Sequence, residues 1–301
     1  MKVAVLGPGG VGGLIAAALE HAGTQVLLVA RESTCETIQA HGLRLSSVRL
    51  GELVARPQVS PELDRQVDAL IVATKAIGLK DALDRVLSDP PFVLPLLNGL
   101  DHLAVLRERF DPQTVAAAAI RVESDRPQPG VIVHTSPFLR VDIAPPPAVR
   151  PLAQQLADAL EGAGVPARVL DSEPEVMWGK LVRLNALACT TSAYDMPIGA
   201  IRSTPELRAE LIGAIEEGCA VAAVEGASID PATPLQELTD AHAGLGSSMQ
   251  RDIAAGRRPE LDAIPGAVLR AGARHGIACP TIERLARVVA ARAGLPAPTA
   301  R

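Results

Sequence analysis

Six residues near the N-terminus constrain this chain most. Gly7-Pro8-Gly9-Gly10-Val11-Gly12 fits the spacing GxGxxG. The motif follows directly on an apolar run at 2–6 and leads directly into a stretch of small and apolar residues at 10–22. A strand that breaks into glycines and then turns into a helix is the context in which this spacing has physical meaning. Gly7 permits the tight turn, Gly9 lets the backbone approach a pyrophosphate, and Gly12 lets the helix pack closely on the strand. The helix N-terminus then offers unsatisfied N–H groups and the positive end of its dipole to an anion. A glycine-rich turn with no ligand is the plainer alternative, and the placement favours a dinucleotide site.

The first half continues in the same alternation. Apolar strand-like runs at 24–30, 69–74 and 93–97 are separated by helical segments at 32–39 and 79–87. Strands with no polar face, spaced by helices, predict a parallel sheet covered on both sides. Strand-like segments at 115–122, 130–135 and 139–143 then follow one another without helices between them, which predicts an antiparallel extension on the sheet edge. A helix at 152–160 and a strand at 167–170 close this half. After Asp171 the strand signal nearly disappears. Ser172 with Glu175 three positions later is a capping box, opening a helix through Trp178 and Lys180. Thr204-Pro205-Glu206 opens another that runs to about 226. Further helical segments cover 234–243, 246–255, 260–274 and 281–293, with Pro265 expected to kink or interrupt one of them. Two domains are therefore expected, 1–171 and 172–301, the first α/β and the second all-α.

Bulk properties remove several classes. Of the 301 residues 48% are hydrophobic but only 2% aromatic, so the cores are aliphatic and base stacking on single strands is not expected. A net charge of −5 without basic runs gives no reason to expect nucleic-acid binding. No apolar stretch approaches the ~20 residues of a membrane helix. The N-terminal apolar run breaks into glycines without a cleavage site, so a signal peptide is not expected. Cys35, Cys189, Cys219 and Cys279 have neither CxxC pairing nor metal-ligand spacing, which predicts free thiols, no metal, and a cytoplasmic protein. The alanine-rich helices of the second half are compatible with a homodimer face.

The second strand ends Val29-Ala30-Arg31-Glu32. A guanidinium there pairs with the 2′-phosphate of NADP, whereas an acidic residue binds the ribose hydroxyl of NAD. Arg31 comes first and favours NADP; Glu32 is the competing carboxylate. Lys75 and Asn98 end two further strands, at the edge where ligands of parallel sheets bind, although each read singly is an ordinary strand-end residue. Lys180 lies one turn into an apolar helix. A partly desolvated ammonium beside a cofactor can serve as a proton donor, and a snorkelling lysine is the alternative. Glu260 either orients a substrate hydroxyl or is a first-turn glutamate favoured by the helix dipole. His134, inside a strand pattern away from the parallel strand ends, reads as structural.

Taken together, these residues resemble the ketopantoate reductase (2-dehydropantoate 2-reductase) family over nearly the whole chain. The GPGGVG loop and Arg31 match its NADPH-binding positions, and Lys75 and Asn98 match its cleft lysine and the Asn of its NG motif. Trp178-x-Lys180-Leu181 matches the segment with the catalytic lysine. Ser247-Ser248-Met249, Asp252, Glu260 and Gly266 match its SSM-x-x-D…E…G segment. The resemblance implies a Rossmann-type NADP-binding domain followed by an all-α domain. It also implies NADPH-dependent reduction of a 2-oxo acid, ketopantoate to pantoate in pantothenate biosynthesis. Lys180 would be the general acid, Glu260 would be catalytic, binding a substrate hydroxyl and also contacting the cofactor, and Ser248 would hold the carboxylate. Asn98 and Lys75 would touch cofactor or substrate. One departure stands out. The family usually carries asparagines four and eight residues after the lysine, where this chain has Leu184 and Ala188; Asn185 is shifted by one residue, about 100° around a helix. A more apolar 2-oxo acid or ketone therefore competes as substrate, and a non-catalytic NADP-binding sensor is a third reading.

Overall fold

Strands with no polar face cannot show either side to water, and four of the five strands of the first sheet are buried along nearly their whole length. A computed structural model describes residues 1–299. The first part of the chain runs β1 (Lys2–Leu6), α1 (Gly10–His21), β2 (Gln25–Val29), α2 (Glu32–His41), β3 (Leu43–Ser47), β4 (Gly51–Ala55), β5 (Gln58–Ser60), β6 (Ala69–Val72), α3 (Leu79–Leu83) and β7 (Val93–Pro95). It continues through α4 (His102–Arg109), β8 (Ala117–Arg121), β9 (Ser124–Gln128), β10 (Val131–His134), β11 (Arg140–Ala144), α5 (Arg150–Gly162) and β12 (Ala167–Val169). The parallel sheet has the order β5-β2-β1-β6-β7. From β1 the chain winds outward to β5, then returns past β1 to β6. The order thus reverses between β1 and β6, and the crevice at their carboxyl ends is where such sheets bind ligands.

The expected antiparallel extension is corrected in part. β8 and β11 do pair antiparallel, in a three-stranded sheet completed by β12 parallel to β11. β10 instead belongs to a separate sheet of order β4-β3-β10-β9, parallel to β3 and antiparallel to β9. The β3–β4 hairpin that gives β10 its sheet carries no continuous apolar run to mark it in the sequence. β9 is equally unmarked: Ser-Asp-Arg-Pro-Gln has no apolar alternation, and as an edge strand it tolerates Pro127 without losing a ladder bond.

His134 on β10 is buried and hydrogen-bonded at both ring nitrogens. Ser136 donates its proton to the Phe138 carbonyl (2.7 Å), so at 3.1 Å it accepts from His134 Nε2. Ser47 Oγ accepts from the Arg49 and Leu50 amides and donates to Nδ1 at 2.8 Å. The network needs a neutral imidazole, and burial holds its pKa below the usual 6.5. The unfolded chain therefore binds this proton first as pH falls. Stability from His134 is complete above pH 6.5 and is lost as pH drops through the folded value. Denaturant unfolding at about pH 7.5 and about pH 5 is expected to show a smaller acid loss in His134→Gln than in wild type; equal losses would remove His134 from the acid transition.

The second part is helical: α6 (Glu173–Tyr194), α7 (Ile198–Ser203), α8 (Pro205–Val224), α9 (Ala232–Asp240), α10 (Ser248–Ala254), α11 (Ala267–Arg274) and α12 (Pro280–Ala293). Ser172 Oγ caps α6 by accepting the Glu175 amide at 3.2 Å. At Pro265 the α-helical pattern is interrupted by a wider turn. The proline's missing N–H leaves the Leu261 carbonyl without the usual donor four residues on. The Gly266 amide, five residues on, takes that carbonyl at 3.2 Å, and Asp262–Gly266 form a π-turn leading into α11. The chain divides into two compact units: Met1–Leu97 with His102–Val176, and Asn98–Asp101 with the chain from Met177 onward. The aliphatic cores are separate, one around β1, α1 and α5, the other around Trp178, Leu211, Ile264 and Leu285.

Among the described residues no helix is long and apolar enough to cross a membrane. The four cysteines are buried and unpaired, and burial pushes the Cys189 thiol up to about 12.

Candidate functional site

The N-terminal loop takes its shape from what its glycines must avoid. Gly7 has φ +100° and donates its amide to the Val29 carbonyl at 3.1 Å. A Cβ on Gly12 would lie 2.1 Å from the Gly7 carbonyl oxygen, and one on Gly10 would lie 2.2 Å from that of Ser124. These two glycines are required by the protein's own packing. Gly9 is different. Its φ is −77°, and a Cβ there would meet nothing nearer than the Ala73 carbonyl oxygen at 3.8 Å. Neither backbone conformation nor neighbouring atoms call for glycine at position 9, so the space it leaves faces outward. Gly9 is also the N-cap of α1 and provides no side-chain cap for the first amides of the helix. Pro8 and Val11 complete the loop, both partly buried. An uncapped helix N-terminus behind an open glycine suits a diphosphate.

Arg31 and Lys75 follow the carboxyl ends of β2 and β6, so they lie on the same edge of the parallel sheet as the loop. Arg31 is exposed and makes no ion pair among the described residues, while Glu32 turns towards Arg85 (3.7 Å). Lys75, also exposed, precedes a short turn of 3-10 helix at Ala76–Gly78.

Asn98 follows β7 but belongs with the helical unit. Gly99 makes this possible: its φ is +83°, and a Cβ there would lie 2.1 Å from the Ala263 carbonyl oxygen in the π-turn. Held this way, the Asn98 carboxamide joins two residues far away in sequence. Lys180 Nζ donates to Asn98 Oδ1 at 2.7 Å, and Asn98 Nδ2 donates to Glu260 Oε2 at 2.8 Å. The two contacts fix the amide's orientation, since its reverse would set N–H groups against an ammonium and an oxygen against a carboxylate. All three side chains are half-buried, so a cation and an anion are held ready on either side of one neutral group.

Ser248 is the first residue of α10 and half-buried, and its hydroxyl makes no hydrogen bond among the described residues. Its neighbour Ser247 is buried and caps α10 by accepting the Gln250 amide at 3.1 Å; Thr191 Oγ1 lies 2.9 Å from the same oxygen. Thr191 and Ser247 thus fix where Ser248 stands, a link that sequence spacing does not reveal. On α6, Leu184 and Ala188 share the face of Lys180 at i+4 and i+8; Leu184 is partly buried and Ala188 lies within the second core. The shifted Asn185 does not replace them. It is fully buried, its Oδ1 meets Cys189 Sγ at 3.4 Å, and its Nδ2 finds no partner among the described residues.

Comparisons with known proteins cover both parts of the chain. The family model described as Ketopantoate reductase PanE/ApbA matches residues 3–147, and that described as Ketopantoate reductase PanE/ApbA C terminal matches residues 175–293. The 2-dehydropantoate 2-reductase of Halobacterium salinarum is 30% identical over 297 residues, spanning 96% of this chain and 98% of that one. The crystal structure of 2-dehydropantoate 2-reductase from Geobacter metallireducens GS-15 is 25% identical, with a TM-score of 0.88 over 96% of this chain and 99% of that one. D-mandelate dehydrogenase, solved with NADH and anilino(oxo)acetate, shares the fold at 23% identity, with a TM-score of 0.88 over 98% of both chains.

Proposed function

The chain belongs to the ketopantoate reductase family of oxidoreductases, and we propose that it reduces a 2-oxo acid to the 2-hydroxy acid with NADPH, ketopantoate being the first substrate to test. One observation carries the reading: Lys180, Asn98 and Glu260, distant in sequence, are joined by two short hydrogen bonds. In this reading residues 1–171 hold the cofactor and 172–301, with Asn98, hold the substrate.

A dinucleotide held by the Gly7–Gly12 loop and Arg31 would supply hydride for the carbonyl carbon. Lys180 gives a proton from Nζ to the carbonyl oxygen as it becomes an alkoxide, and its charge stabilises the oxygen before the proton moves. Solvent then restores the ammonium. Asn98 keeps Lys180 and Glu260 aimed, Glu260 accepts a hydrogen bond from a substrate hydroxyl, and Ser248 donates to the carboxylate. The loop Gly7–Gly12 would hold the pyrophosphate. Arg31 takes the 2′-phosphate, a role supported by its exposure and by the turn of Glu32 towards Arg85. Lys75 adds positive charge at the same sheet edge.

A second reading rests on Leu184 and Ala188. Apolar groups on the Lys180 face leave substrate hydroxyls without partners, which disfavours a polar substrate strongly. It keeps the reaction and changes the substrate to a 2-oxo acid with an apolar side chain.

Following absorbance at 340 nm with NADPH or NADH, and with ketopantoate or 2-oxo acids lacking its hydroxyl, separates these readings. NADPH is expected to be oxidised faster than NADH, and Arg31→Ala is expected to cut that preference by about tenfold or more, the worth of a charge-assisted contact. Faster turnover of the hydroxyl-free acids would select the second reading. Turnover of no oxo acid, with NADPH still bound, would leave a nucleotide-binding protein and overturn both.

A further inference from the structure

The trio's geometry depends on holding residue 98 against residue 260, and no element of regular structure spans those two positions. Arg270, on α11, does so. Its Nη2 donates to Asp101 Oδ2 at 2.5 Å and to the Asp262 carbonyl oxygen at 3.0 Å, and its Nη1 donates to Asp262 Oδ1 at 2.7 Å. Asp101 ends the stretch that begins with Asn98, and Asp262 lies two residues after Glu260. One guanidinium, only 20% exposed, thus grips both backbone segments that carry the trio's acceptor and anion. Exposed ion pairs taken singly contribute little. Here three acceptors converge on one planar fork, a geometry that fixes direction as well as distance.

Two glycines make room for the grip. Gly99 lets the 98–101 stretch close on the Ala263 carbonyl. A Cβ on Gly266 would lie 3.1 Å from both Arg270 Nη1 and Asp262 Oδ1, so glycine there leaves the ion pair its space. The π-turn forced by Pro265 holds Asp262 and Arg270 on either side of that gap. Leu100 adds an apolar anchor between Gly99 and Asp101, packing against the second core.

We propose that Arg270 is a positioning residue for reduction: through Asp101 and Asp262 it sets the Asn98–Glu260 distance and so the aim of Lys180. The proposal rests on the reading above, in which the trio handles the substrate.

Arg270→Gln is expected to lower kcat about 10- to 100-fold, the cost of misplacing reacting groups by an ångström, with NADPH affinity unchanged. Arg270→Lys should restore part of the rate, because an ammonium reaches one carboxylate at a time. In an Asp101→Asn background, Arg270→Gln should add less than about twofold, since the two changes cut the same link. Hydrogen exchange at 98–101 should quicken in Arg270→Gln while that of β1 and α1 stays as in wild type. An unchanged kcat, a full additive loss with Asp101→Asn, or a uniform rise in exchange across the chain would each overturn the proposal. If the wild-type chain reduces no oxo acid, the functional reading falls by itself. Exchange at 98–101 then still decides the grip, and no change there overturns it.

Discussion

Lys180→Ala is expected to lower kcat by about 10²–10⁴-fold, the usual worth of a positioned proton donor, while NADPH binds as before. On the proposed mechanism the substitution removes both the proton donor to the alkoxide and the charge that stabilises it, and it leaves Asn98 Oδ1 without the ammonium it accepts from at 2.7 Å. NADPH affinity, read by fluorescence titration, should hold because the Gly7–Gly12 loop and Arg31 are untouched. Lys180→Arg sharpens the result: a guanidinium keeps the charge but does not release a proton near neutral pH. If proton transfer matters, the arginine variant stays far below wild type; if charge alone suffices, it recovers most of the rate. A turnover within about tenfold of wild type in Lys180→Ala would remove Lys180 from the general-acid role.

Gly12→Ala and Gly9→Ala are expected to fail in different ways. The Gly12 methyl would lie 2.1 Å from the Gly7 carbonyl oxygen, so α1 must shift away from the loop. Overpacking of this kind costs about 1–3 kcal/mol, and both melting temperature and NADPH affinity should fall. The Gly9 methyl has its nearest neighbour at 3.8 Å, and φ is already −77°, so the fold should keep its melting temperature. NADPH affinity should nevertheless drop about tenfold or more, because on the proposed reading the methyl would stand where the pyrophosphate approaches the backbone. Thermal melts with and without NADPH measure both. Unchanged NADPH stabilisation in Gly9→Ala would mean the loop does not cradle the cofactor. A normal melting temperature in Gly12→Ala would mean the loop yields more readily than its geometry implies.

The loop was readable in the sequence because its signals are local. A run of five residues with no polar face, a glycine at the turn and an apolar stretch of helical spacing each speak about neighbours in the chain. The same holds for the Ser172 cap and for the helical second half, where strand patterns cease. The candidate site was readable as a set of residue types at strand ends and in motifs, but not as a constellation. Asn98 meets Lys180 across 82 residues and Glu260 across 162, and Arg270 meets Asp101 across 169. No periodicity links such positions.

Other points were decided only by packing. Asn185 could have faced the site or the core, and the turn of α6 put it in the core together with Ala188, leaving partly buried Leu184 on Lys180's face. β9 carries no apolar pattern and is a strand only because β10 offers it a ladder. Pro265 removes one donor, a fact visible in the sequence; that the loss is absorbed by one wide turn, with Gly99 seated against it, required the second core. By itself the sequence determined the strand–glycine–helix start, the parallel sheet and the helical second half, because burial and backbone freedom are set residue by residue. The tertiary structure alone decided which of those residues meet. Long-range contacts follow from how whole faces pack, and that packing brings Lys180, Asn98 and Glu260 together.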